Sequence, residues 1–246
     1  CLATTSSRRT LTVLYELSAR TEFKHITDRL KQMATELAAQ ISEPQPMNAV
    51  TFRELDQDRN YLPYDTPSLF SVMNNRLDDF EHHLLNDENS TIDTIRKIED
   101  EIELRRNISS WLILNSREAY RVTQEAVVIA EKRTDIRLHS SNLDLYASIE
   151  LKIDGGKRGK WTGTELKHAL INQLVGQYLN HERSHVGCLL ICMREQRNWV
   201  HPDTQKRMGL KETVAWLQGI ANEVMESKPG LLVSVKGIDY SKTANE

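Results

Sequence analysis

The stretch KRTDIRLHSSNLDLYASIELKI, residues 132–153, decides the fold. It holds two β-favouring runs, DIRL at 135–138 and YASIELKI at 146–153, joined by a polar turn. Side chains alternate across a strand, so Glu150 and Lys152 share one face while Ile149, Leu151 and Ile153 share the other, turned to a core. Two charges on a strand whose opposite face is apolar call for a chemical reason. Asp135 opens the preceding run, fifteen positions before Glu150. With the two strands as neighbours, Asp135, Glu150 and Lys152 converge as two hard carboxylates suited to Mg2+ and an ammonium placed to meet a phosphate oxygen. A metal there would lower the pKa of water and stabilise charge on a phosphorane-like transition state, with Lys152 orienting or helping to deprotonate the nucleophile. An E-x-K triplet alone is common on solvated strands. The preceding aspartate and the basic glycine loop that follows single this one out.

C-terminal to this pair, the loop DGGKRGKWTGT at 154–164 supplies turn glycines. Residues 165–179 have helical period, VGCLLICM at 186–193 reads as a buried strand, 210–225 as a helix and LLVSVKGI at 231–238 as a last strand. N-terminal to it, AVVIA at 126–130 reads as a strand. Apolar residues at three- and four-residue steps predict helix over 11–41, 68–85 and 91–120, interrupted by the proline-bearing segments SEPQPMN at 42–48 and YLPYDTP at 61–67. Strands followed by helix, strand, helix, strand predict an α/β fold with a mixed sheet flanked by helices. The change of texture divides the chain into a helical region, 1–109, and an α/β domain, 110–246.

The 246 residues are 39% hydrophobic and 27% charged, which excludes collagen, coiled-coil rods and wholly disordered chains. The longest apolar run falls far short of the roughly 20 residues of a membrane helix, so no membrane association is expected. Three cysteines, Cys1, Cys188 and Cys192, are too few for a disulfide framework and suit a reducing compartment, the cytoplasm. The sequence begins at Cys1 with no Met, so a longer parent polypeptide is expected. The formal charge of −3 hides an asymmetry: residues 131–211 hold 14 Lys/Arg and 9 Asp/Glu, net +5, leaving −8 for the rest. An anionic ligand is expected there. Lys157, Arg158 and Lys160 in the glycine loop, with Arg133, Arg137 and Lys132 around Asp135, suit contact with a phosphate backbone without reading sequence. His181, His185, Cys188 and Cys192 do not read as a zinc set, because the cysteines lie inside an apolar strand.

KRTDIRL at 132–138, IELK at 149–152, the loop ending in Trp161, and the pair QLVGQYL at 173–179 and GCLLIC at 187–192 together resemble the restriction-endonuclease-like, or PD-(D/E)xK, nuclease superfamily. The likeness covers about residues 110–240 and is greatest to nuclease domains at the C-terminal ends of bacterial antiphage defence proteins. It implies that Asp135 and Glu150 ligate Mg2+, with Mn2+ as a substitute, that Lys152 is the catalytic lysine, and that Gln173 is an accessory polar residue. It implies an endonuclease acting on DNA, with RNA left open, that leaves a 5′-phosphate. It also implies an effector governed by the rest of a larger polypeptide or by a sensor partner, and a homo-oligomer pairing two sites. Two departures stand out. Thr134 takes the place of the proline before Asp135. The exonuclease-like branch carries Gln and Tyr four apart on the helix, whereas Gln173 and Tyr178 are five apart and Gln177 holds the four-residue spacing, so that branch is not assigned. Family members also use an acid from the helix before the sheet, for which Glu118 and Glu125 are the candidates. The rival readings are a restriction-like scaffold that binds nucleic acid or self-associates without turnover, and a helical protein-interaction module using the acidic stretch at 90–105.

Overall fold

The computed structural model describes residues 8–42, 62–127, 133–157 and 159–241, and the chain divides into two compact units, Cys1–Arg59 and Asn60–Glu246. The first unit contains helix α1 (Arg8–Ala19), a 3-10 turn (Thr21–Ile26) and helix α2 (Thr27–Ser42). Leu14, Leu30, Ala34 and Leu37 bury one small core between them. Among the described residues, no helix is long and apolar enough to cross a membrane.

The second unit opens with α3 (Thr66–Asn86). Asp65 and Ser68 form a reciprocal capping box at its N-terminus, and Pro67 sits in the first turn, where its missing N–H costs nothing. The helical pattern over 91–120 is interrupted in the fold. One turn, α4 (Ile92–Ile95), is followed by a break, after which Asp100 accepts the Ile102 N–H and starts α5 (Glu101–Leu114). Helix α5 stops at Leu114, short of Tyr120, because Arg117 and Glu118 take left-handed backbone angles (φ 45° and 66°) and turn the chain into a strand.

Strands β1 (Tyr120–Val127), β2 (Arg133–Ser140) and β3 (Tyr146–Asp154) form an antiparallel meander. The first strand thus begins six residues before AVVIA, and residues 128–130 of that run lie outside the described residues. Helix α6 (Gly163–His168, continued with π-type bonding as Ala169–Tyr178) crosses to β4 (Val186–Met193), parallel to β3. After a short hairpin of β5 (Trp199–Val200) and β6 (Arg207–Met208), helix α7 (Leu210–Ser227) leads to β7 (Leu232–Asp239), parallel to β4. The main sheet runs β1-β2-β3-β4-β7, a mixed five-stranded sheet flanked by helices.

Alternation along β3 and β4 separates two cores. Ile149, Leu151 and Ile153 face α3 and α5 together with Cys188, Leu190 and Cys192. Leu189, Ile191 and Met193 face α6 and α7 on the other side. Strand β4 is buried along its whole length, as a strand covered by helices on both faces must be. Helices α3, α4 and α5 therefore belong to the same core as the sheet, which is why the compact unit reaches back to Asn60 although the texture changes near residue 110.

The loop after β3 is tied to the break before α5: the Lys157 N–H donates to the Glu99 carbonyl at 2.8 Å, and a Cβ on Gly156 would collide with that same carbonyl. Gly156→Ala is expected to lower stability by about 1–3 kcal/mol, as overpacking against rigid backbone does. Urea unfolding checks this, and an unchanged midpoint would show that the loop docks elsewhere.

Candidate active site

Beyond Ile136 and Ile149 the β2–β3 ladder opens, and a side chain takes over. Asp135 Oδ2 accepts the Leu151 N–H at 2.9 Å, while its Oδ1 accepts from Arg105 Nη1 of α5 at 3.1 Å. This draws Asp135 against the middle of β3. There, Glu150 Oε1 accepts from Lys152 Nζ at 2.6 Å, with both side chains only 3% exposed. Arg105 and Asp135 are 9% and 15% exposed. Three residues singled out in the sequence, Asp135, Glu150 and Lys152, are thus brought together at the point where two strands separate.

The other side chains around them come from three further elements. Trp161 donates its indole N–H to the Ile153 carbonyl and its backbone N–H to Asp154. Its ring lies 4.8 Å from Lys152 Nζ and closes the far side of the ammonium. Tyr178, at the end of α6, is buried beside Glu150. Burial, then the negative charges of Glu150 and Asp135, push its phenol far up, so it stays protonated. Glu101, at the start of α5, is near enough for its charge to act on Glu150 and Tyr178. One register further along the same face of β3, Asp154 is buried and paired with Arg197 at 2.7 Å.

Glu101 and Arg105 escaped the sequence reading because one uninterrupted helix over 91–120 buries them in mid-helix. The signal for them was Asp100 with Glu103 three residues later, a capping pattern inside the periodic stretch. Of the two acids weighed for this helix, Glu118 is exposed in the turn before β1, beyond the Ser140 end of β2, and the Glu125 side chain lies outside the described residues. Gln173 is half-buried on α6, one residue before buried Leu174. From Ala169 to Tyr178 this helix bonds at five-residue spacing, as in Leu179 N–H to Leu174 C=O at 3.1 Å. Residues five apart become neighbours along such a helix, which brings Gln173 and Tyr178 toward one side. Lys157 and Lys160 are exposed in the glycine loop. Arg133 opens β2 opposite Val127. Its side chain, and the whole of Arg158, lie outside the described residues.

The donor set suits a hard divalent cation. Glu150 Oε2 is buried without an aligned hydrogen bond, and the Asp135 carboxylate lies on the neighbouring strand. Mg2+ takes one or two protein carboxylates and completes its shell with water and phosphate oxygens. Among the described residues no cluster of three or more His, Cys, Asp or Glu is placed to hold a metal. Cys188 and Cys192 are fully buried on the α3 side of β4, and burial pushes both thiols up, Cys188 to about 11, which opposes thiolate ligation. Comparison with known proteins finds no matching family model, no matching curated protein and no matching solved structure.

Burial, then the negative charge of Asp135, pushes the Glu150 carboxyl up to about 7 against the opposing pull of Lys152. A carboxyl that holds its proton more tightly folded than unfolded adds stability below its ordinary range near 4.5, and that stability is lost as pH rises through about 7. Between those limits the melting temperature of the wild type is expected to fall relative to Glu150→Gln. Parallel curves in a pH series of thermal melts would show that Glu150 titrates as an ordinary carboxylate.

Proposed function

We propose that this chain carries a metal-dependent nuclease of the PD-(D/E)xK kind, hydrolysing phosphodiester bonds in DNA as the effector part of a bacterial antiphage defence protein. The observation that carries the reading is the convergence of Asp135, Glu150 and Lys152, nearly buried, at the opening of the β2–β3 ladder. A helix before a three-strand meander, then a crossover helix to a parallel strand, agrees with a restriction-endonuclease-like fold. The substrate, the 5′-phosphate product, the defence setting in the cytoplasm, control by a sensor and pairing into an oligomer rest on the sequence resemblance.

Asp135 and Glu150 are the residues that hold Mg2+, or Mn2+ in its place. The ion supplies neutralisation of the phosphate charge and acidification of water. Asp135 is oriented for this by the Leu151 N–H and by Arg105. Lys152 Nζ lies between Glu150 and the Trp161 ring, from where it orients the attacking water or meets the phosphate. Tyr178, held protonated, lies buried beside Glu150. Glu101 lies near enough for its charge to act on Glu150, and Gln173 remains the accessory residue that the resemblance indicates. Exposed Lys157 and Lys160 lie where a backbone can run without base readout, so cutting without sequence preference is expected.

A second reading has one observation in its favour. Arg105 and Lys152 already neutralise the two carboxylates, as in a buried structural network that has no turnover. Incubation of the full chain with linear and circular DNA in Mg2+, Mn2+ or EDTA decides between them. The nuclease reading expects metal-dependent cutting, abolished by Asp135→Asn and lowered on the order of 10²–10⁴-fold by Lys152→Ala, with both variants folded. DNA binding without cutting by the wild type would favour the scaffold.

A further inference from the structure

Strand β2 presents Asp135, Arg137 and His139 on one face and buries Thr134, Ile136, Leu138 and Ser140 on the other. Arg137 stands opposite Ser148 of β3, between the Asp135 position and the pair His139–Tyr146. Its guanidinium lies 4.7 Å from the Tyr146 ring, and His139 stacks on the same ring at 4.7 Å. The environment is half-buried. Yet Arg137 makes no ion pair among the described residues, and its Nε is buried without a hydrogen bond. Two described carboxylates near it in the chain, Asp135 and Asp144, are engaged elsewhere. Asp135 holds Arg105 and the Leu151 N–H, and Asp144 holds Arg183 and approaches His139. A partly desolvated guanidinium without an anion is costly, and its planar fork matches a phosphate bidentately.

We propose that Arg137, backed by Tyr146 and His139, is a phosphate-binding subsite for a single strand of nucleic acid, holding the phosphate next to the one at Asp135 and Glu150. The choice of a nucleic-acid phosphate rests on the nuclease reading. The subsite itself rests on an arginine with no ion pair among the described residues and on its aromatic neighbours. Two residues along an extended strand span about 7 Å, comparable to the step between successive phosphates. His139, stacked on Tyr146 and 39% exposed, offers a ring on which a base can stack without regard to its identity, the arrangement that general single-strand binders use.

Fluorescence anisotropy of a labelled single-stranded oligodeoxynucleotide, titrated with the full chain in EDTA over a salt series, tests this without any turnover. Arg137→Gln is expected to weaken binding on the order of tenfold and to reduce the slope of log K against log salt by about 0.7, the loss of one phosphate contact. Arg137→Lys should keep the slope and lose part of the affinity, and Tyr146→Leu should lose affinity with the slope unchanged. If Arg137→Gln melts early, the Lys and Tyr146→Leu variants still carry the test. Affinity and slope unchanged in all three variants, or no binding by the wild type, would overturn the subsite. Binding that depends on Arg137 in a protein that never cuts would leave the subsite standing and remove the nuclease reading alone.

Discussion

The opening of the β2–β3 ladder past Ile136 and Ile149 is the constraint on which the rest of this structure depends. A buried backbone N–H must find an acceptor, and where the neighbouring strand has moved away the Leu151 N–H finds the Asp135 carboxylate. That one bond holds a carboxylate beside Glu150, and Arg105 then reaches it from α5. The same opening lets α6 bring Tyr178 over Glu150, and the loop after β3 fold Trp161 back onto Lys152.

Placing so many charges in a low-dielectric setting is expensive unless each is matched. Along this face of the sheet the matching is done in pairs: Arg105 with Asp135, Lys152 with Glu150, Arg197 with Asp154. Such pairing explains how the chain tolerates the arrangement in the absence of a ligand. It also means that a divalent cation would compete with Lys152 and Arg105 for the carboxylates, and that the raised pKa of Glu150 makes the competition depend on pH. Arg137 is the exception in the series, a guanidinium that no carboxylate among the described residues matches.

The architecture was legible where periodicity is strong. The alternation of β3, the apolar run of β4 and the helices at 165–179 and 210–225 stand where the pattern placed them, because each depends on which residues one face must bury. The region before the sheet was less legible. Nothing in the spacing of Ile92, Ile95, Ile98 and Ile102 announces that the helix stops and restarts at Asp100, since the same apolar residues suit one long helix or two short ones packed on a common core. That ambiguity hid Glu101 and Arg105. The irregular bonding of α6 was equally invisible, so the five-residue spacing of Gln173 and Tyr178 read as a departure from the four-residue Gln/Tyr spacing of the exonuclease-like branch.

The sequence by itself determined that Glu150 and Lys152 share a strand face, that Asp135 lies on a strand of its own, and that a sheet with helices on both sides would bury the alternating apolar residues. These follow from local geometry, in which a side chain's direction depends only on its place in a strand or helix. Tertiary structure alone decided what those side chains meet. The β2–β3 divergence, the guanidinium of Arg105 on Asp135, the indole over Lys152 and the phenol beside Glu150 join residues 30, 9 and 28 positions apart, respectively, for the last three. Contacts at such separations are selected by the packing of whole elements against one another, a property that no local pattern encodes.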